Sequence, residues 1–212
     1  MYYSIIIIYI RMKLTVYNLK GGVGKTSISL NLAFSLDYGI ITNDIYSPLE
    51  KVLPKERLFK IGVNDDLPNI PQDYNIIFDM GGYLDNRVIQ ALKLSDFVII
   101  PIINNMLNVQ VSINAIEEIK EFNKNIIVVA NNTSGKDFEE IKGAISKFYK
   151  DKYPIFEIKK SKALDAVYNS KKSLKDLVQQ GGLQAYSFKT INEQFNQLIN
   201  YLEGVKNGSI AA

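Results

Sequence analysis

The segment MKLTVYNL (12–19) has the composition of a β-strand and runs directly into a glycine-rich turn that ends in Gly-Lys-Thr at 24–26. The residues that follow, up to position 37, carry apolar side chains at near-helical spacing. Glycines let a backbone turn tightly and aim its N–H groups at an anion, and the start of a helix adds partial positive charge. This order of elements predicts a phosphate-binding loop between a strand and a helix.

Each residue of the loop has an expected role. The glycines bring the backbone close to the phosphates, Lys25 neutralises the β and γ oxygens, and the hydroxyl of Thr26 is placed to ligate Mg²⁺. The predicted nucleotide-binding set of the loop comprises Gly21, Gly22, Val23, Gly24, Lys25, Thr26 and Ser27.

Further along the chain, short apolar runs alternate with amphipathic segments. Strands are predicted at 12–19, 39–42, 74–80, 96–102, 125–131 and 153–158, and helices at 24–37, 86–94, 108–122, 138–150 and 182–205. Near-continuous apolar strands that alternate with helices are typical of an α/β fold, in which a mainly parallel twisted sheet has helices on both faces. Ligands of such sheets bind at the carboxyl ends of the strands, so polar residues at those ends are candidate site residues.

Composition excludes several kinds of chemistry. The chain contains no cysteine and no histidine, which removes thiolate metal sites, iron–sulfur clusters, and Cys or His catalysis. Residues 136–175 hold eleven lysines against six acidic residues, whereas residues 1–110 are balanced at ten each. The lysine-rich segment is either a solvated face or a patch that meets a polyanion such as nucleic acid.

The loop departs from the general phosphate-loop pattern at one position. Leu19 stands where the pattern has its first glycine, and Lys20 follows it, so that the loop reads Lys-Gly-Gly-Val-Gly-Lys-Thr. This loop resembles the deviant Walker A motif of the ParA/MinD family of P-loop ATPases. The resemblance implies an ATP- and Mg²⁺-dependent ATPase that covers roughly residues 12–205.

In that family the early lysine reaches across an ATP-dependent homodimer to the phosphates of the partner subunit. Lys20 matches this position, and its expected role is therefore catalytic in trans, comparable to that of an arginine finger. Lys25 is expected to serve the nucleotide of its own subunit.

The family's second motif, which follows the second strand, is only half present in IITNDIYSP. Alignment on the end of the strand places Thr42 at the first aspartate of the motif and Asp44 at the second, the one that orients the attacking water. Asp44 is thus the expected third catalytic residue. Two alternatives remain. Asp44 would serve only to cap a turn, or a different register would place Asn43 in the site and weaken hydrolysis.

Two later strands end in residues that match the family. YNIIFDMGG delivers Asp79, which resembles a Walker B aspartate and is expected to hold Mg²⁺ together with Thr26. IIVVANNTS ends in Asn131, where relatives often have an asparagine that contacts adenine, and Asn132 is the alternative.

The resemblance implies one P-loop ATPase domain at 12–205, followed by a C-terminal tail at 206–212. Met12 is a natural start for the first strand, so residues 1–11 are expected to be an N-terminal extension, or a short elongation of that strand, without catalytic meaning. MinD-type membrane binding needs an apolar helix face with basic flanks, and residues 190–212 contain one base, Lys206. We therefore expect no stable membrane binding, and we expect the apolar residues of the last helix to pack on the body of the protein.

The remaining branch implies a cytoplasmic, nucleoid-associated partition protein that binds DNA without sequence preference and is stimulated by a ParB-like centromere-binding adaptor. The candidate DNA contacts are Lys159, Lys160, Lys162, Lys171, Lys172 and Lys175. Positioning of another cargo is an open alternative, and so is a small-molecule P-loop kinase or ligase of the dethiobiotin synthetase type.

Overall fold

The computed structural model describes residues 11–209, and most of the predicted extension at 1–11 lies outside them. Seven strands form one sheet: β1 Lys13–Asn18, β2 Gly39–Thr42, β3 Leu58–Lys60, β4 Ile76–Gly81, β5 Phe97–Ile102, β6 Ile126–Thr133 and β7 Ile155–Lys159. The helices are α1 Lys25–Leu36, α2 Asn86–Leu94, α3 Met106–Ile119, α4 Asp137–Tyr149, α5 Ala163–Ser170, α6 Leu174–Gln179 and α7 Gly182–Lys206. Two 3₁₀ turns, Pro48–Lys51 and Lys55–Arg57, lie between β2 and β3.

The strand order is β3-β2-β4-β1-β5-β6-β7, and every pairing between neighbouring strands is parallel. The predicted α/β fold with a parallel sheet is confirmed. Because all strands run the same way, their carboxyl ends meet at one edge, where the loop after β1 also lies.

Helices cover both faces of the sheet. Successive side chains of a strand point to opposite faces, and in β5 this places Ile99 in one core and Val98 and Ile100 in the other. The first core packs against α1, α5, α6 and α7, and the second against α2, α3 and α4. The two cores explain why the central strands are apolar at almost every position.

Helix α7 packs on the sheet, as the sequence predicts. Phe195, Leu198 and Leu202 are almost completely buried in the core that it shares with α1. Its last residue, Lys206, which we assigned to the tail, still belongs to the helix and forms an ion pair with Asp96. Within residues 11–209, no helix combines the length and apolar character needed to cross a bilayer.

Candidate functional site

The glycine-rich loop begins at a buried asparagine. Asn18 ends β1, and its amide nitrogen donates to the carbonyl oxygen of Pro101 and to Oγ of Ser112, both at 2.8 Å. Its amide oxygen accepts from the backbone N–H of Lys20 at 2.9 Å. The main chain at Lys20 is thus fixed to β5 and α3, while the side chain of Lys20 is exposed.

The loop needs glycine at position 24 for two reasons. Gly24 precedes α1 with φ +93°, in the left-handed region that favours glycine. A Cβ there would lie 2.2 Å from Nδ2 of Asn131, which donates to the carbonyl oxygen of Val23 at 2.9 Å. Asn131 is therefore packed directly against the loop, whereas Asn132 is exposed and has φ +57°.

The predicted catalytic lysine reaches back across the loop. Nζ of Lys25 donates to the carbonyl oxygen of Lys20 at 2.9 Å, which closes the loop on itself. Burial lowers the pKa of Lys25, and the carboxylates of Asp79 and Asp44 act in the opposite direction. A partly buried ammonium group beside backbone N–H groups suits a polyanionic ligand, because the ligand's negative charge would stabilise the charged form of Lys25.

The carboxylate of Asp79 lies beside the first turn of α1. Oδ2 accepts from the hydroxyl of Thr26 at 2.8 Å, and Oδ1 accepts from the hydroxyl of Ser29 at 3.0 Å. Burial raises the pKa of Asp79, and the two hydroxyl groups and Lys25 oppose that shift. Thr26 and Asp79 thus place two oxygen donors side by side. This donor set fits Mg²⁺, which usually takes one or two protein ligands and keeps several waters.

Asp44 lies in a turn directly after β2. Its Oδ1 accepts from the N–H of Tyr46 at 3.0 Å, and its own N–H donates to Oγ1 of Thr42 at 3.2 Å. The carboxylate therefore does cap a turn, and it also lines the same cavity as Asp79 and Lys25. Its role toward water stays a prediction.

Two cavities flank the loop. One, of about 890 Å³, extends from the loop and Lys25 to Asp44 and Asp79. The other, of about 570 Å³, lies beside Asn131 and Asn132. Both are lined by Gly22, Gly24 and Ser27, so that the loop separates a carboxylate-rich compartment that contains Lys25 from an amide-lined one that also carries three lysines.

No protein-family model matches the chain, and a search of curated protein sequences gives no significant match. Solved structures do match. Apo McdA from Cyanothece superposes with a TM-score of 0.62 at 16% identity, covering 87% of this chain and 100% of that one. MinD from Pyrococcus horikoshii in complex with Mg-ADP has a TM-score of 0.59 at 14% identity, with coverage of 92% and 98%. A ParA-family ATPase from Chlorobium tepidum has a TM-score of 0.54 at 20% identity, with coverage of 85% and 96%.

The fold is that of the ParA and MinD ATPases. At these sequence identities the likeness concerns the fold alone. The superposition extends over nearly the full length of each solved chain, so this chain spans the whole of that fold. The family resemblance inferred from the loop and the architecture seen in the structure therefore agree.

The six lysines predicted to contact DNA fall into two groups in this ParA/MinD fold. All six are exposed. Lys159 ends β7 and lines the amide-lined cavity, next to the loop, together with Lys160 and Lys162. The other three do not line this cavity: Lys171 and Lys172 lie between α5 and α6, and Lys175 lies in α6. The structure thus separates the lysines beside the candidate nucleotide site from those near α6.

Several polar residues of the candidate site were not assigned to it from the sequence motifs, although Asn43 was named as an alternative to Asp44. Arg87 lines the cavity that contains Lys25, bonds the carboxylate of Asp85, and donates to the carbonyl oxygen of Gly62. Asn43 bonds the backbone of Gly81, the last residue of β4. A signal for Asn18 did exist, because a polar residue ends an otherwise apolar strand directly before the loop.

Proposed function

We propose that the protein is a Mg²⁺-dependent ATPase of the ParA/MinD family. One observation carries this proposal: the closed loop at 18–25 lies beside Asp79, whose carboxylate is bonded to the Thr26 hydroxyl at 2.8 Å. The lysine, the backbone donors and the pair of oxygen ligands are thus arranged around one cavity at the carboxyl edge of a parallel sheet. The likeness to MinD in complex with Mg-ADP supports the same assignment.

The residues of the cavity divide the chemistry among them. Lys25 and the loop N–H groups bind the β- and γ-phosphates, and Thr26 and Asp79 hold Mg²⁺. When bound, Mg²⁺ neutralises the charge of the phosphate oxygens. Asp44 orients the attacking water, and phosphoryl transfer to that water yields ADP and inorganic phosphate. Asn131, beside Val23 and Gly24, reaches toward the adenine side of the loop.

Lys20 acts on the nucleotide bound to a second subunit. Its main chain is held by Asn18 and Lys25, but its side chain is exposed at the mouth of the loop, so the ammonium group is free to reach a neighbouring molecule. We infer a homodimer that forms when ATP is bound, in which Lys20 contacts the partner's phosphates. Because the γ-phosphate holds the two subunits together, hydrolysis releases the dimer.

The dimer serves DNA partition in this proposal. It binds duplex DNA through phosphate contacts by Lys159, Lys160, Lys162, Lys171, Lys172 and Lys175, it associates with the nucleoid in the cytoplasm, and a ParB-like adaptor stimulates hydrolysis. The lysine excess of residues 136–175 supports DNA as the surface. The likeness to McdA and MinD supports the second candidate, a positioning ATPase with another cargo.

The dimer is tested by sedimentation of the nucleotide-free, ADP-bound and ATP-bound protein with Mg²⁺. Lys20→Ala should remain monomeric with ATP but bind ADP as the wild type does. Lys147→Ala, which removes an exposed lysine of α4, is the matched control and should dimerise normally. If Lys20→Ala dimerises with ATP as well as the control does, the cross-subunit role is refuted.

The cargo is tested by binding of non-specific duplex DNA with ATP, with ADP and without nucleotide, at low and moderate salt. ATP-dependent binding that weakens steeply with salt supports partition. An ATP-dependent dimer that binds no DNA in any of these conditions would favour the second candidate.

A further inference from the structure

Asn43 makes a reciprocal pair of hydrogen bonds with a single backbone residue. Its amide nitrogen donates to the carbonyl oxygen of Gly81 at 2.8 Å, and its amide oxygen accepts from the N–H of Gly81 at 3.0 Å. The β2–β4 ladder ends where Thr42 pairs with Asp79. The Asn43 side chain thus extends the hydrogen bonding between the two strands beyond the end of β2, where residues of both strands line the cavity.

Gly81 in turn lies against the catalytic lysine. A Cβ at Gly81 would stand 3.1 Å from Cε of Lys25 and 3.4 Å from its Nζ. The backbone of Gly81 therefore forms one wall of the space that the Lys25 ammonium group occupies. A displacement of this backbone would change both the position of Lys25 and the end of the strand that carries Asp79.

Asn43 also precedes Asp44, whose carboxylate lines the same cavity. The Asp44 turn is exposed and is closed by bonds within residues 42–47, and Nζ of Lys60 in β3 donates to the carbonyl oxygen of Ile45 at 3.1 Å. Those bonds set the shape of the turn. The two bonds from Asn43 to Gly81 tie it to the strand that carries Asp79.

We propose that Asn43 is a positioning residue for hydrolysis, which couples the turn carrying Asp44 to Gly81 and, through Gly81, to Lys25. This inference rests on the proposed ATPase function. Both polar atoms of the Asn43 side chain are bonded to Gly81, so its role is to hold the backbone. Its loss lets the water-orienting carboxylate and the lysine drift relative to each other, and a misplacement of about 1 Å lowers a rate by on the order of 100-fold.

The test compares Asn43→Ala and Asn43→Asp with the wild type. Alanine removes both bonds to Gly81. Aspartate has the same shape and accepts from the Gly81 N–H, but it faces the Gly81 carbonyl oxygen without a donor. We expect kcat for ATP hydrolysis to fall roughly 10- to 100-fold in the alanine variant and at least as far in the aspartate variant, whose carboxylate repels the Gly81 carbonyl oxygen. The affinity of the alanine variant for ADP should stay within about threefold of the wild type, because the loop that holds the β-phosphate is intact.

Asn123→Ala is the matched control for loss of stability. Asn123 donates to the carbonyl oxygens of Leu92 and Ser95 and accepts from the N–H of Asn125, so its removal also breaks asparagine–backbone bonds. It lies between α3 and β6, at the opposite edge of the sheet from the cavity. We expect Asn123→Ala to lower Tm while kcat is unchanged.

The outcomes separate this inference from the proposed function. If the wild type hydrolyses ATP and Asn43→Ala has the same kcat, the positioning role is overturned and the ATPase proposal stands. The same conclusion follows if Asn43→Ala and Asn123→Ala lose activity equally, since the loss would then reflect stability alone. If the purified wild type neither binds nor hydrolyses ATP, the proposed function fails and the role of Asn43 in hydrolysis is overturned with it.

Discussion

The contact between Gly24 and Asn131 joins two parts of the site that are far apart in sequence, and it can be measured. Gly24→Ala places a methyl group 2.2 Å from Nδ2 of Asn131 in the present geometry, at a backbone position with φ +93°. Asn131 must then swing away and give up its bond to the carbonyl oxygen of Val23. In the double variant, Asn131→Ala removes the obstructing amide, but the alanine at position 24 still has to adopt the left-handed backbone.

The magnitudes follow from these contacts. The left-handed backbone costs a non-glycine residue about 1–2 kcal/mol. Displacing the buried amide costs about 1–2 kcal/mol more, because a hydrogen bond is lost and buried polar groups are left unpaired. We therefore expect Gly24→Ala to lower the free energy of unfolding by about 2–4 kcal/mol, and Asn131→Ala by about 1–3 kcal/mol. The double variant should lose about 1–2 kcal/mol less than the sum, since the amide can be displaced only once.

The assay is urea denaturation of the four nucleotide-free proteins. Gly143→Ala is the matched control: Gly143 lies in α4 with nothing within 4 Å of an added Cβ, so alanine should stabilise the protein by about 0.5–1 kcal/mol. Additivity of the two single changes within about 0.5 kcal/mol would refute the contact. A Gly24→Ala protein as stable as the wild type would refute the strain as well.

Two further predictions concern the body of the fold. Leu198 is fully buried in α7, so Leu198→Ala should lower the free energy of unfolding by about 2–5 kcal/mol, whereas the exposed Gln197→Ala should change it by less than about 0.5 kcal/mol; urea denaturation checks both. Burial, together with nearby Glu203 and Asp96, raises the pKa of Tyr38 to about 12 from an ordinary value of 10.0. The unfolded chain therefore ionises this tyrosine first, so stability is full below pH 10 and is lost as the pH rises toward 12, by up to about 3 kcal/mol. Denaturation midpoints across this range should fall less in Tyr38→Phe, and equal losses would contradict the burial argument.

Elements with a long, regular pattern could be predicted from the sequence, and short ones could not. Helix α7 was predicted at 182–205 and ends at Lys206, because its apolar spacing persists over many turns. Strand β3 has three residues, two of them only partly buried, and no periodicity can develop over that length. Helices α5 and α6 are also short, and they gain their stability by packing on α1 and α7.

The candidate site likewise contains residues that the sequence motifs predicted and residues whose role only the structure revealed. The sequence motifs brought Lys20, Lys25, Thr26 and Asp79 together at one sheet edge, and the structure has Thr26 bonded to Asp79. Of the residues that orient this set, Asn18 belongs to no motif, and the second motif offered Asn43 only as an alternative to Asp44. Their role depends on partners that only the packed sheet supplies.

By itself the sequence determined the local chain: a strand, a tight glycine loop, a helix, and a carboxylate at the end of a later apolar strand. These follow from backbone sterics and from the period of apolar residues, which act over a few positions. The tertiary structure alone decided which distant atoms meet. Asn131 donates to Val23 across 108 positions of sequence, and Asn43 bonds Gly81 across 38. Such contacts depend on strand order and register in three dimensions, and no local pattern of residues contains that information.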